Sequence, residues 1–195
     1  MSDKPKRKIA ILASGAGSNA HRIIQHFKNS TTIEVALVAC NKPNAGVLNI
    51  ATENQIPTYI ITKENFVHSD DFLKELKQRD IEFAVLAGFL WKVPAAMVMA
   101  YPNSIVNIHP ALLPRYGGKG MYGHFVHEAV CSNKERESGI TIHYVNEHYD
   151  EGNTIFQARV DIDHTDTPQT IEQKVRALEI EHYASVLDDI LNDRM

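Results

Sequence analysis

Apolar residues in the first half of the chain fall into short unbroken runs, each followed by a stretch in which they recur every third or fourth position. The runs KIAILAS, IEVALVAC, TYIIT, EFAVLAGF and SIVNIH alternate with AHRIIQHF, GVLNIATENQ, DDFLKELKQR and VPAAMVMA. A strand with no polar face must be covered on both sides, so this alternation predicts parallel strands between layers of amphipathic helix. Further on, GHFVHEAVC reads as a helix, SGITIHYV alternates as a strand should, and TIFQARVDI follows closely enough to pair with it antiparallel. DTPQTIEQKVRALEIEHYASVLDDIL predicts a long final helix, with Thr167 as its N-cap and Pro168 at the first helical position. The expected fold is a single α/β domain over residues 1–195, Rossmann-like, with a mostly parallel central sheet of about seven strands and helices on both faces.

Composition leaves that reading in place and removes others. The 195 residues suffice for one sizeable core, and 44% hydrophobic with 23% charged residues is ordinary for a globular chain. A net charge of −4 disfavours a nucleic-acid-binding surface, and the basic cluster KPKRK reads as a solvated start ahead of the first strand. Two cysteines, Cys40 and Cys131, cannot make a disulfide framework, and no apolar run has the length of a membrane span. A reducing cytoplasm, with neither membrane nor nucleic acid as partner, is the expectation.

Gly15, Gly17 and Ala20 fit G-x-G-x-x-A directly after the first strand, the pattern of a dinucleotide turn. Its companion acid belongs at the end of the second strand, where this chain has Ala39, Cys40 and Asn41; Glu34 falls at that strand's start. A hydride-transfer enzyme is therefore disfavoured. What the loop retains is anion chemistry: glycines admit close backbone approach, and the helix opening near Ser18 and Asn19 offers free N–H groups. The plainer alternative is a tight turn in which Ser18 or Asn19 is a cap.

Side chains two apart on a strand share a face, so Asn107 and His109 meet at the carboxyl end of the fifth strand, the ligand edge of an open parallel sheet. An amide donor beside an imidazole suits acyl transfer, in which an oxyanion must be stabilised and protons moved. Asp150, in the turn between the last two strands, is placed near His109 by topology, and a carboxylate there would raise the imidazole pKa. His124 and His127 stand one helical turn apart and could hold a metal, but with no third ligand they read as an exposed helix face or a substrate-side histidine. His143 reads as a packed histidine or a partner behind the site.

Taken together and in order, SGAGSN, VLAGFL, NIHPALLP and HYVNEHYDEGNTIFQ resemble the glycinamide ribonucleotide formyltransferases, folate-dependent enzymes of purine synthesis. The resemblance implies formyl transfer from 10-formyltetrahydrofolate to the amine of a ribosylphosphate glycinamide, with no metal, small-molecule partners, and a monomer or homodimer. It implies that Asn107 holds the formyl oxygen, His109 donates a proton, and Asp150 raises the His109 pKa and orders water. Gly15, Ala16, Gly17, Ser18 and Asn19 would take the substrate phosphate, and Glu179 the sugar or amine. Leu90, Trp91, Lys92 and Val93, the turn Asn146, Glu147, His148, Tyr149 and Asp150, and Asn107 would line the pterin pocket. Residues 8–110 then form a nucleotide-binding-like half, and 111–195 the folate-site and C-terminal helix half. Three features depart from the pattern: Trp91 and Lys92 where many relatives have arginine, Ser69 or Asp70 in place of another, and a longer loop RYGGKGMYGH. The rivals are a formyltetrahydrofolate hydrolase or another folate-dependent formyltransferase and, in a different class, a non-catalytic nucleotide-binding module.

Overall fold

The computed structural model describes residues 5–194, so Lys4 of the basic start lies outside them. Seven strands form one sheet: β1 Arg7–Ala13, β2 Ile33–Cys40, β3 Thr58–Ile60, β4 Phe83–Leu86, β5 Ile105–His109, β6 Glu137–Tyr144 and β7 Thr154–Asp161. Six α-helices accompany them: α1 Ser18–Phe27, α2 Gly46–Glu53, α3 Asp71–Gln78, α4 Ala95–Ala100, α5 His124–Ser132 and α6 Pro168–Leu191. The sheet order is β3-β2-β1-β4-β5-β6-β7. It is parallel from β3 to β5, and β6 runs against both of its neighbours.

The continuous apolar runs are explained by two cores, one on each face. Along β1, Ile9, Ile11 and Ala13 enter the core beneath α1, α2, α5 and α6, while Ala10 and Leu12 enter the one beneath α3 and α4. All five are fully buried. α6 starts as its sequence predicts: the Thr167 hydroxyl accepts the Thr170 N–H, and Pro168 opens the helix.

Three local expectations are corrected. Arg7 and Lys8 lie inside β1, paired with Ile33 and Glu34, because the Arg7 guanidinium can leave the sheet edge to donate to the Leu191 carbonyl at 3.0 Å. Residues 64–68, to which periodicity assigns nothing, form one π-helical turn in which Phe66 packs on Phe72, Phe89 and Trp91. The run EFAVLAGF stops being a strand at Leu86, since Gly88 takes φ +72° and turns the chain away.

α6 is fastened to the sheet where the site is built. The Tyr183 hydroxyl, wholly buried, donates to the carbonyls of Leu86 at 2.9 Å and Val106 at 3.3 Å, bridging β4 and β5. Burial holds this phenol far above its ordinary pKa, so it remains a donor. Tyr183→Phe is expected to lower the unfolding free energy by about 1–2 kcal/mol, since two buried carbonyls lose a donor. Urea denaturation with an unchanged m-value checks this.

Candidate functional site

The chain leaves β1 for β2 and β3, then returns to place β4 on the other side of β1. The connections after β1 and β4 therefore diverge and open a crevice at the carboxyl ends of the strands. Ser14, buried at the end of β1, ties the crevice's two lips together. Its N–H donates to the Gly88 carbonyl at 3.1 Å, and its Oγ accepts from the Leu90 N–H at 3.0 Å.

One end of the crevice is built for an anion. Gly17 is the N-cap residue of α1 at φ +87°, and a Cβ there would stand 2.8 Å from that of Val47, so only glycine fits. No side chain caps α1, which leaves its first N–H groups open. Neither Ser18 nor Asn19 is the cap; Asn19 instead donates through Nδ2 to Glu179 Oε2 at 2.9 Å. Burial pushes the Glu179 carboxyl above its ordinary pKa, partly offset by that hydrogen bond and by Arg176. Glu34 pairs with Lys8 at the far end of the sheet, so the acid of a dinucleotide site is not in reach of this loop.

The other end carries the amide, the imidazoles and the carboxylate. β5 brings Asn107 and His109 to the edge, and antiparallel β6 sets His143 directly opposite Asn107. His143 Nδ1 lies 2.9 Å from the Tyr144 carbonyl and must donate to it, so Nε2 is an acceptor. The Asn107 Nδ2 group donates to that nitrogen at 3.1 Å. One N–H of Asn107 is thus fixed, and the second is left for the crevice. His143, buried to 2% exposure, has its pKa lowered by desolvation, against which the Tyr144 carbonyl and Asp150 act.

His109 is held in a similar way. Its Nε2 donates to the Tyr116 carbonyl at 2.7 Å, which leaves Nδ1, 3.6 Å from Asp150 Oδ2, to exchange a proton. The same carboxylate oxygen accepts the Gly118 N–H at 2.8 Å, and its partner oxygen lies 3.8 Å from His143 Nε2. Asp150 therefore sits between two imidazoles and the loop after β5.

A single cavity of about 580 Å³ joins the two ends. Of the sequence-predicted residues it is lined by Gly15, Ala16, Gly17, Ser18, Asn19, Leu90, Asn107, His109, Tyr149, Asp150 and Glu179. Six others stand outside the lining. Trp91 packs against Phe66 and Phe89, Val93 is buried in the second core, and Lys92 lies over the Tyr149 ring at 5.5 Å. Asn146 accepts the His148 N–H within its own turn, and Glu147 is exposed beside it. Beyond the residues named for the two substrates, the lining takes in the loop from Gly118 to Gly123, His127, and Glu172 with Arg176 on α6. The last two precede Glu179 by seven and three positions, so helical periodicity from Glu179 is a signal that finds them. Among the described residues no three His, Cys, Asp or Glu side chains converge as metal ligands.

Known proteins share both the sequence and the fold. The formyl transferase family model matches residues 7–187. The chain is 38% identical to the chloroplastic phosphoribosylglycinamide formyltransferase of Arabidopsis thaliana, over all of this chain and 69% of that protein. With the phosphoribosylglycinamide formyltransferase of Bacillus subtilis it shares 34% identity over 95% of each chain. The crystal structure of the phosphoribosylglycinamide formyltransferase of Bacillus halodurans superposes with a TM-score of 0.88 at 34% identity, covering 97% of each chain.

The lowered pKa and fixed tautomer of His143 are open to measurement. Nitrogen NMR should find its ring neutral with the proton on Nδ1 at pH 6.5, where an unperturbed histidine is about half protonated. A charged ring at that pH would remove the fixed orientation of Asn107.

Proposed function

The chain belongs to the formyl transferase family, and on that premise we propose that it transfers the formyl group of 10-formyltetrahydrofolate to the amine of N1-(5-phospho-D-ribosyl)glycinamide, a step of purine biosynthesis. The observation that carries this reading is one cavity with two dissimilar ends, uncapped helix amides beside a half-buried acid and an Asn–His–Asp cluster. A ribosyl phosphate suits the first end. Its phosphate takes the open N–H groups of α1, and its hydroxyls meet Glu179 and the Asn19 Oδ1 atom, which is buried without a partner.

A formyl group and an amine suit the second end. The amine nitrogen attacks the formyl carbon, the new C–N bond forms, and the carbonyl electrons move onto oxygen. The free N–H of Asn107 meets that oxyanion without having to reorganise, because His143 already holds the other. The carbon–nitrogen bond to the folate then breaks, and the departing nitrogen takes a proton as the amine loses one. His109 mediates at Nδ1, its Nε2 proton being held by Tyr116, and Asp150 is the counter-ion for the imidazolium that forms. No covalent bond to the protein is made.

The apolar wall for the folate ring is Leu90 and Tyr149, with the backbone of 87–90 supplying polar contacts. Trp91 and Val93 support that segment from behind, and Lys92 braces Tyr149. Both cysteines are free, in accord with a cytoplasmic enzyme.

The purified protein should consume 10-formyltetrahydrofolate only when glycinamide ribonucleotide is present. Turnover without the acceptor would make it a hydrolase, and no turnover would leave a binding module. Asn107→Ala and His109→Ala should each lower kcat by about 100-fold or more, with the thermal midpoint little changed. Wild-type rates in either variant would refute the assigned roles.

A further inference from the structure

His127 is the one histidine of the cavity wall that the reaction above does not use. It lies on α5, is only 3% exposed, and lines the cavity. Its Nδ1 is fully buried and has no hydrogen-bond partner. A histidine on an ordinary packed face satisfies its ring nitrogens or leaves them in water; the Nδ1 of this one does neither.

The orphaned nitrogen decides the tautomer. A buried N–H without an acceptor is costlier than a buried lone pair without a donor, so the proton belongs on Nε2. With Nδ1 sealed from the cavity, Nε2–H is the group that can reach a ligand there. Burial lowers the ring's pKa, and His109 and His124 push the same way against Glu172, so the group is a neutral donor.

Position along the wall identifies the acceptor. The cavity residues of α6 run from Glu179, hydrogen-bonded to Asn19 at the phosphate end, through Arg176 to Glu172. Seven residues of helix span about 10 Å. α5, which carries His127, packs against α6, and Glu172, His109 and His124 all stand near enough to act on the ring, so it faces the Glu172 end of the row, on the side of His109. A substrate with its phosphate on α1 and its sugar at Glu179 lays its amide arm across this part of the wall.

We propose that His127 is a substrate-positioning residue, donating from Nε2–H to the amide carbonyl oxygen of the glycinamide arm and so aiming the terminal amine at the formyl carbon. This rests on the functional reading above. A neutral donor is the fitting chemistry: it recognises a carbonyl and does not repel an imidazolium on His109.

The test compares two amides. The side-chain nitrogen of His127→Gln reaches the place of Nε2, whereas that of His127→Asn stops at the place of Nδ1. Steady-state kinetics should show kcat/KM for glycinamide ribonucleotide falling about 10-fold or more in His127→Asn, with KM for 10-formyltetrahydrofolate unchanged. His127→Gln should recover most of the loss. Equal losses in the two variants, or none in either, would overturn the proposal while wild-type transfer kept the functional reading intact. A wild-type protein that neither binds glycinamide ribonucleotide by calorimetry nor formylates it would overturn the functional reading, and the role of His127 with it.

Discussion

The site depends on one constraint, the reversal of strand order at β1. Because β2 and β4 flank β1, the two connections that follow β1 and β4 must part, and no side chain has to be spent in opening a crevice. What the sequence adds is control of its width. Ser14 accepts from one lip with its hydroxyl and donates to it with its backbone, and Tyr183 fixes β4 to β5 from beneath. The strand-borne Asn107 and His109 and the anion end are then held apart by the rigid sheet.

That architecture forces polar groups into the interior, and their burial works in opposite directions. His127 and His143 have depressed pKa values, so the unfolded chain takes up protons before they do as pH falls below about 6.5, and stability declines there. Glu179 has a raised pKa, so its charged form burdens the fold at neutral pH and is relieved as pH falls. The Glu179 burden is tolerable because Asn19 already donates to the carboxylate and Arg176 lies near. A ligand hydroxyl would complete what the protein leaves unfinished, which is how a site binds without being stable alone.

Much of this was legible in the sequence because it follows from short-range rules. Period two placed Asn107 and His109 on one face, the loss of a polar face announced a doubly covered sheet, and Thr167 with Pro168 marked the start of α6. Asp150 was reachable by topology, since β6 and β7 had to pair and their turn had to lie at the same edge. The His143 contact was not. It depends on the β5–β6 register, which sets Asn107 against His143, and no local pattern encodes a register. The start of β1 and the end of β4 were misread for a related reason: Arg7 and Gly88 are governed by partners at Leu191 and Ser14, far away in sequence.

The loop after β5 shows why the remainder stayed hidden. Its glycines look like flexibility, but Gly117 records a close approach, and Gly118 and Gly120 record left-handed backbone. A Cβ on Gly117 would stand 2.5 Å from Leu113 Cδ2 and 3.2 Å from Asp150 Cβ, and Gly118 and Gly120 have φ of +96° and +91°. The loop acts on the cluster through its backbone: the Tyr116 carbonyl holds His109 and the Gly118 N–H holds Asp150. Its base is anchored by Tyr116 and Arg115 on Glu135. A segment that works through its main chain leaves little signature in the identity of its side chains. Only its need for glycine is visible in advance, and at Gly117 that need marks where the chain and Asp150 come into contact.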